Sequence, residues 1–361
     1  EKNIQSNDEK NQSYLFSIVT PCFNGDLKLF EKAFNSIKNQ TIGFENIEWV
    51  VVSHNSSEDN TNSIKKIVEN YENVKVYVLK NEMRTPSSPR NYALDRVSGK
   101  YVAFLDADDY YSLDLLETVS KYLKDSKPQI ISFRFKTESD TKDRQPINPY
   151  VLIDQTKKVI EVDVENWDTK NFIYGTGLMI TTKVYERDFL NENKIRFDEE
   201  VPLAEDNLFN LECFHKSKKI IFLPQLIGYH YLLNGGSMVQ SFAKSSDEVL
   251  RYAKGIKKIF DRGLAYGFYM NNVMWDLMGY ESAILLASTN LNYEDRKEVS
   301  DLLSPYLDIM EDIEVSKLYS EKTAKLIMSL PKIAIGHPRL MQSFASLMNT
   351  LKIDIASKIQ I

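Results

Sequence analysis

The chain has few cysteines, no long apolar run and no excess of positive charge. Its two cysteines, Cys22 and Cys213, are too few for a disulfide framework, which favours a reducing compartment. No apolar stretch approaches the roughly 18 residues of a membrane-spanning helix, and no cysteine–histidine cluster has zinc spacing. A net charge of −6 argues against a general nucleic-acid binder. What remains is a 361-residue chain, 43% hydrophobic, that is large enough for two domains.

Short apolar runs alternate with amphipathic segments over the first hundred residues. The predicted strands cover residues 15–20, 48–52, 74–79 and 100–105. The predicted helices cover residues 27–40, 60–70 and 86–97. This alternation predicts an α/β fold with a doubly wound, mostly parallel sheet and helices on both faces. Because right-handed crossovers place every strand–helix turn at one edge of the sheet, we expect these turns to converge.

The rest of the chain predicts a division into three regions. Residues 1–13 are polar and predict a flexible tail, residues 14–238 the sheet domain, and residues 239–361 a helical C-terminal domain. Within the second region we predict strands at residues 129–133 and 177–180, a loop at 140–154, and a short strand ending at Gly228–Tyr231. Two glycines mark residues 234–237 as a flexible break.

The predicted strand at residues 100–105 ends in the carboxylates Asp106, Asp108 and Asp109. Residues two apart in an extended chain share a face, so Asp106 and Asp108 can reach one hard cation. Such a cation binds through oxygens and can neutralise a diphosphate. The alternative is an acidic turn without a ligand, which is common after strands.

Two earlier turns at the same predicted edge carry groups suited to a nucleotide. In the first, Pro21 precedes Phe23, whose ring can pack on a base; the alternative is an ordinary strand–helix turn. The second begins at Ser53 and includes Asn55, so it is rich in acceptors suited to a base or ribose. The same turn is equally a helix start, with Ser57 as a cap.

The third turn joins a helix start to a permanent positive charge. Thr85 followed by Pro86 predicts a cap and a first helical residue, and helix amino termini attract anions. Arg90 adds a planar guanidinium group whose paired N–H donors suit a phosphate or a carboxylate. Its alternative role is a stabilising ion pair with Asp106 or Asp109.

Two further positions carry candidate chemistry. Glu205 and Asp206 open a predicted helix, where acids interact favourably with the helix dipole and where a carboxylate can serve as a general base. His230 stands among aromatic residues, so it is either a packing residue or a ligand for a divalent metal.

In this order the motifs resemble those of family 2 glycosyltransferases with the GT-A fold. The matching segments are residues 17–24, 53–61, 89–91, 105–109 and 205–207, and the resemblance covers about residues 16–238. It implies inverting transfer of a hexosyl or N-acetylhexosaminyl group from a nucleotide-diphosphate sugar. The implied acceptor is a hydroxyl of a glycan or of a cell-surface polymer such as teichoic acid or capsule.

The resemblance also implies roles for individual residues. Asp106 and Asp108 would hold Mn²⁺ or Mg²⁺ on the donor diphosphate, with His230 as a further candidate ligand. Asp206 would be the catalytic base, with Glu205 beside it. The implied nucleotide-sugar contacts are Pro21, Phe23, Ser53, Asn55, Arg90 and Asp106. The family usually has an aspartate near the position of Ser53 that bonds the nucleobase, typically uracil, so the resemblance favours a UDP-sugar. Because Ser53 stands there instead, the base is left open.

Other functions and partners follow from the same sequence. A nucleotidyltransferase is one alternative, although no glycine-rich phosphate loop is visible near the amino terminus. A non-catalytic sugar- or polymer-binding module is another, and the intact acids at 106, 108, 205 and 206 argue against it. Residues 322–361 are basic, which predicts a solvated packing face, a peripheral membrane contact or a homo-oligomer contact. The expected location is the cytoplasm, or its inner membrane surface.

Overall fold

The computed structural model describes residues 14–83, 85–124, 126–139, 156–164, 179–201, 204–233, 246–266 and parts of 292–305. The predicted tail at residues 1–13, the loop at 140–154, the flexible break at 234–237 and the basic segment at 322–361 lie outside these residues. Those four predictions therefore stay predictions.

The described strands form one mixed sheet. They are β1 (Phe16–Cys22), β2 (Ile47–His54), β3 (Val74–Leu79), β4 (Tyr101–Phe104), β5 (Tyr110–Tyr111), β6 (Ile130–Ser139), β7 (Ile160–Asp163), β8 (Lys183–Glu186) and β9 (Lys219–Leu233). Their order is β3-β2-β1-β4-β8-β6-β9-β5, and β7 pairs with β9. The first four strands are mutually parallel, as the alternation predicts. β8 is antiparallel to both β4 and β6, so the sheet changes direction beside β4.

The described helices lie on both faces of this sheet. They are α1 (Leu27–Lys38), α2 (Glu58–Val68), α3 (Ser87–Leu94), α4 (Leu115–Ser120), α5 (Arg187–Glu192), α6 (Glu205–Lys216) and α7 (Ser246–Ala265). Successive residues of β2 alternate between the two faces: Val50 belongs to the same buried cluster as residues of α6 and α7, whereas Trp49 belongs to a second cluster and stacks on Phe34 of α1 at 5.4 Å. The prediction of helices on both faces is therefore confirmed.

Three local predictions are wrong. Ile180 begins a 3-10 helix (Ile180–Thr182) instead of ending a strand. Thr85 does not cap α3: its buried hydroxyl has no hydrogen-bond partner, and α3 has no side-chain cap. The strand that contains His230 is the 15-residue β9, which shifts register against β6 and pairs at its far end with β5. Tertiary pairing decides this length, because the segment carries both Pro224 and Gly228.

Helix α7 lies beyond the predicted domain boundary at residue 238, yet its apolar face belongs to the core of the sheet domain. Val249, Ile256 and Phe260 are fully buried and cluster with Phe209 of α6. Lys258 on the polar face donates to Asp198 at 2.9 Å. None of the described helices combines the length and apolar character that crossing a bilayer requires. The sheet and α7 thus share one packed interior.

Replacing Ile256 with alanine is expected to lower the free energy of unfolding by about 2–5 kcal/mol, because it leaves a cavity in that shared core. We expect peptides from α6 and β8 to lose hydrogen-exchange protection together with α7. The matched control is Lys254→Ala on the exposed face of the same helix, which should change stability by less than about 0.5 kcal/mol. Loss of protection confined to α7 would show instead that the C-terminal region unfolds as a separate domain.

Candidate active site

The turns that follow β1 and β2 are in direct contact. The Asn24 amide donates to Ser56 Oγ at 3.0 Å, and the Ser57 amide donates to Asn24 Oδ1 at 2.8 Å. Ser57 also caps α2, because its Oγ accepts from the Asn60 amide at 3.2 Å. The predicted convergence of these turns is therefore confirmed, and the capping role of Ser57 with it.

The first turn leaves an aromatic ring in solvent. Phe23 is 68% exposed, which is the largest exposure among the large apolar side chains of the described residues, while Pro21 is half-buried. Exposing a phenyl ring costs free energy unless a ligand or partner covers it. The location of Phe23 at the carboxyl edge of the sheet therefore suits stacking on a flat ligand. Nucleotide contacts by Phe23 and Pro21 stay predictions.

Ser53 lies inside β2 and not in the turn that the sequence predicts to start there. Its side chain is fully buried and its Oγ hydrogen-bonds Thr61 Oγ1 at 2.7 Å. The turn begins only after His54, at Asn55, whose φ is +52°. Asn55 Nδ2 donates to the Met83 carbonyl at 3.1 Å and thereby ties this turn to the segment before α3. A nucleotide contact by Ser53 would require its bond to Thr61 to open.

Replacing Ser53 with alanine is expected to leave the affinity for a nucleotide diphosphate within about twofold, because the hydroxyl faces α2. The same change should lower the free energy of unfolding by about 1 kcal/mol through loss of the hydrogen bond. Isothermal titration calorimetry and urea unfolding measure the two effects. Thr61→Val is the matched control, since it removes the other half of the same bond. A tenfold loss of affinity confined to Ser53→Ala would assign Ser53 to the nucleotide site.

Arg90 connects the acidic end of β4 to the start of α6. Its side chain is buried, with Nη1 2.5 Å from Glu205 Oε1 and Nη2 3.1 Å from Asp106 Oδ1. Although burial disfavours its charge, the neighbouring carboxylates Asp106 and Glu205 raise the pKa of Arg90. The predicted pairing of Arg90 with Asp106 is confirmed. Its pairing with Glu205, 115 residues away, was not predicted.

The three carboxylates after β4 have different surroundings. Asp109 is buried and accepts from the Tyr229 hydroxyl and from the Leu232 amide, the latter at 2.7 Å. Burial, with the nearby Asp106 and Asp108, raises its pKa to about 8. Asp109 thus anchors the turn to β9. Asp106 and Asp108 are half-buried and so can be reached by a ligand.

His230 lies beside this turn because β5 and β9 pair Tyr110 with His230. The two rings are stacked at 4.4 Å. Its Nε2 is 2.8 Å from Ser112 Oγ, and its Nδ1 is 3.1 Å from Glu138 Oε1. A metal bond to His230 would therefore replace one of these two hydrogen bonds. Metal ligation by His230 stays a prediction.

The start of α6 fixes Glu205 and Asp206 at the same edge. Ala204, immediately before the helix, has φ +61°, a left-handed conformation that is unusual for alanine. Asp206 retains some accessible surface but sits in a low-dielectric setting, and this burial, followed by the charge of Glu205, raises its pKa to about 7. A carboxylate with such a pKa can accept a proton near neutral pH.

A family model for glycosyl transferase family 2 matches residues 17–188. Residues 17–188 are a family 2 glycosyltransferase domain. A solved structure shares the fold of this chain. The crystal structure of Staphylococcus aureus TarS residues 1–349 in complex with UDP-GlcNAc superposes with a TM-score of 0.62 at 20% identity, covering 94% of this chain and 92% of that one. The predicted GT-A fold is confirmed.

Relatives of known name share longer stretches with this chain. The minor teichoic acid biosynthesis protein GgaB of Bacillus subtilis (strain 168) is 28% identical over 321 residues, which cover 84% of this chain and 33% of GgaB. The poly(ribitol-phosphate) beta-N-acetylglucosaminyltransferase TarP of Staphylococcus aureus (strain N315) is 27% identical over 78% of this chain and 85% of TarP. The chain spans about a third of the length of the first curated relatives that it matches.

The glycosyltransferase domain offers two hard ligands for a divalent cation. Among the described residues, no group of three or more acidic, histidine or cysteine side chains is arranged to hold a metal. Asp106 and Asp108 are half-buried carboxylates, and Mg²⁺ commonly takes one or two carboxylates together with substrate phosphates and water. This donor set fits a cation that arrives with a diphosphate.

Two further asparagines hold the segments of this site together. Asn91 Oδ1 accepts from the Phe197 amide at 2.8 Å, and so fixes the segment that leads to α6. Asn210, fully buried in α6, donates to the Asp206 carbonyl at 3.0 Å and accepts from the Tyr185 hydroxyl at 2.7 Å. Asn91 lies in the matching segment 89–91, whereas the only signal of Asn210 in the sequence is a polar residue in an apolar segment, which ordinary surface positions also show.

Proposed function

We propose that this chain transfers a glucosyl or N-acetylglucosaminyl group, with inversion, from a UDP-sugar to a hydroxyl of a poly(ribitol phosphate)-type cell-wall polymer. One observation carries the reaction type: Arg90 joins the acidic end of β4 to the helix start that bears Asp206. The acidic end of β4, which can bind a cation, and the Asp206 carboxylate, which can accept a proton, are thus carried by elements that Arg90 connects. The sugar and acceptor classes are proposed from the names of TarP and GgaB, and the nucleotide from the ligand of TarS.

Asp206 accepts the proton of the acceptor hydroxyl as that oxygen attacks the anomeric carbon. The carboxylate is held by a helix, so its position is fixed before the substrate binds. Inversion requires the attacking oxygen and the departing diphosphate to lie on opposite faces of the sugar. Arg90 links Asp106 to Glu205, the sequence neighbour of Asp206, and this link supports a sugar bound at the same edge of the sheet.

Arg90 contributes in two ways. Its charge offsets Asp106 and Glu205, and it places a fixed positive charge at the edge where negative charge develops on the leaving diphosphate. Asp106 and Asp108 would hold Mn²⁺ or Mg²⁺ there, and that ion would supply further neutralisation of the diphosphate. Phe23, Pro21 and Asn55 are proposed to contact the nucleotide.

The remaining partners are proposed from the sequence. Residues 234–240 are proposed as a lid over the donor, because glycines permit hinge movement and closure excludes water. A peripheral membrane contact or a homo-oligomer contact is proposed for residues 322–361, and a cytoplasmic location for the donor reaction. A nucleic-acid partner is not expected from the charge.

A donor screen tests the function. Uridine, guanosine, cytidine and thymidine diphosphate sugars are each incubated with poly(ribitol phosphate), and nucleotide release is measured. We expect turnover with a UDP-sugar that depends on the acceptor. EDTA should abolish turnover and added Mn²⁺ or Mg²⁺ should restore it, because the diphosphate charge is otherwise uncompensated.

Two outcomes would contradict the proposal. Full activity in EDTA would show that the reaction does not need a metal ion. Tight binding of the polymer without turnover of any nucleotide sugar would favour the non-catalytic binding module instead. Pyrophosphate release, measured in the same reactions, would indicate nucleotidyl transfer.

A further inference from the structure

Phe197 lies in the segment between α5 and α6, outside the residues that the family model matches. Its side chain is buried, and both of its backbone polar groups bond one side chain of α3. The Phe197 amide donates to Asn91 Oδ1 at 2.8 Å, and the Phe197 carbonyl accepts from Asn91 Nδ2 at 2.9 Å. Because Asn91 directly follows Arg90, these two hydrogen bonds tie the segment to the part of α3 that bears the arginine.

The ring of Phe197 contacts side chains from three elements. It stacks on Phe209 of α6, with ring centres 4.1 Å apart and an angle of 8° between the planes. The ring of Phe104, the last residue of β4, packs edge-on at 5.5 Å. The guanidinium carbon of Arg90 lies 5.5 Å from the centre of the Phe197 ring, which is within the range of a cation–π contact.

These three contacts lie next to the groups that carry the proposed chemistry. Phe209 comes three residues after Asp206, so the two are neighbours on the surface of α6. Phe104 comes two residues before Asp106. The Phe197 ring therefore packs against the elements that position the proton acceptor, the acidic end of β4 and the arginine.

The orientation of the Arg90 guanidinium depends on few contacts. Its Nη1 and Nη2 bond Glu205 and Asp106, whereas its Nε is buried and finds no hydrogen-bond partner among the described residues. The Phe197 ring is thus a third support for the guanidinium. Because protein interiors are close-packed, loss of this ring would let Arg90 and α6 shift relative to each other.

We propose that Phe197 is a positioning residue whose ring fixes Arg90 relative to the helix that carries Asp206. The proposal rests on the roles given to Arg90 and Asp206 in the proposed function. The positive charge at the leaving diphosphate and the proton acceptor are then held in one geometry before the substrates bind. A displacement of about 1 Å at such a site can cost roughly 10²-fold in rate.

NMR of Phe197→Leu tests the placement without any reaction. The Asn207 amide donates to Asp206 Oδ1 at 3.0 Å and so reports the start of α6, while the Arg90 Nε–H reports the guanidinium. Leucine keeps the site apolar but removes the flat ring. We expect both signals to shift in the variant. A shift of one signal alone, or of neither, would overturn the proposal, whatever the protein's activity.

Phe34→Leu is the matched control. Phe34 is also buried, stacks on Trp49 with 6° between the ring planes and packs edge-on against Tyr71 at 5.0 Å. It belongs to the other buried cluster of the sheet. Both variants should lower the urea midpoint of unfolding, but Phe34→Leu should leave the Arg90 and Asn207 signals in place. Equal shifts of these signals in both variants would show a general effect of core destabilisation and would contradict the proposal.

The reaction provides the second measurement. Per folded molecule, we expect kcat to fall by roughly 10- to 100-fold in Phe197→Leu and by less than about twofold in Phe34→Leu. In an Arg90→Lys background, Phe197→Leu should cost a smaller factor than in the wild type, because the ring acts through the arginine. The same factor in both backgrounds would show a purely structural role and would overturn the proposal.

Two further arms keep the outcome clear. Should Phe197→Leu not fold, Phe197→Met, whose flexible side chain fills core gaps, replaces it in both experiments. Absence of turnover in the wild type would refute the proposed function, while the NMR shifts would still decide whether Phe197 sets the placement of Arg90 and α6.

Discussion

Replacing Asp206 with asparagine is expected to reduce kcat by about 10²- to 10⁴-fold, which is the usual contribution of general-base catalysis. Asparagine keeps the size of the side chain but cannot accept a proton. The Asp206 carbonyl accepts from Asn210 at 3.0 Å, and this contact does not depend on the carboxylate. The Asp206 carboxylate also accepts from the Asn207 amide at 3.0 Å, and the Oδ1 atom of an asparagine can accept the same hydrogen bond. We therefore expect donor binding to be retained while turnover is lost.

The stability of Asp206→Asn provides the folding control. Because the folded protein raises the pKa of Asp206 from 3.8 to about 7, the folded state binds more protons than the unfolded state between these values. Stability is therefore lost as pH rises through this window, and a neutral asparagine avoids that loss. Urea unfolding at a pH above 7 should show the variant to be no less stable than the wild type. Asp188→Asn, an exposed acid in the first turn of α5, is the matched substitution and should keep activity.

The pH profile of the wild type gives an independent measurement. The base must be deprotonated, so kcat/KM should fall below about pH 7 and level off above it. An ordinary aspartate would place this limb near its usual value of 3.8. Near-wild-type turnover in a folded Asp206→Asn enzyme would exclude Asp206 as the base. If kcat/KM of the wild type fell only below about pH 4, the pKa of the base would not be raised by its surroundings.

Replacing Arg90 with glutamine is expected to lower the free energy of unfolding by about 3–5 kcal/mol, because it leaves the buried Glu205 carboxylate without its partner. Turnover should fall by about 10²-fold or more, since a fixed positive charge near the leaving diphosphate is lost. Urea unfolding and nucleotide release measure the two effects. Arg196→Gln removes an arginine from the exposed pair with Asp95 and should cost at most about 1 kcal/mol.

A double variant separates the buried pair from the rest of the site. In Arg90→Gln/Glu205→Gln neither buried charge is left unpaired, so its loss of stability should be smaller than the sum of the two single losses, by about 1–3 kcal/mol. Activity should stay low, because the charge beside Asp106 is still missing. Losses that simply add would show that Arg90 and Glu205 are not energetically coupled. Arg90→Lys, which keeps the charge but not the fork, is the fallback if Arg90→Gln does not fold.

Local patterns predicted most of the parallel half of the sheet correctly. The period-two and helical patterns of residues 15–105 lead to β1–β4 with α1–α3 between them, because each element buries a face that its own sequence defines. Elements after residue 105 depend more on pairing between distant segments. The length of β9 and its three partners, β5, β6 and β7, are examples, since no local signal overrides its proline and glycine.

The same distinction between local features and contacts of distant segments holds for the candidate site. The positions of Asp106, Asp108, Glu205 and Asp206 at turns and helix starts can be read from the sequence, because turn and helix-start residues are local features. The surroundings of these acids cannot be read from the sequence. Only the folded chain shows that Asp109 is buried against Tyr229, while Asp106 stays within reach of a ligand.

By itself the sequence determined the fold class, the family and the acids that carry the proposed chemistry. The tertiary structure alone decided that Arg90 also pairs with Glu205 and that Ser53 points into the protein. The physical reason is that charge and reactivity depend on neighbours and on exclusion of water. Those neighbours come from segments up to 123 residues apart, which local patterning does not encode.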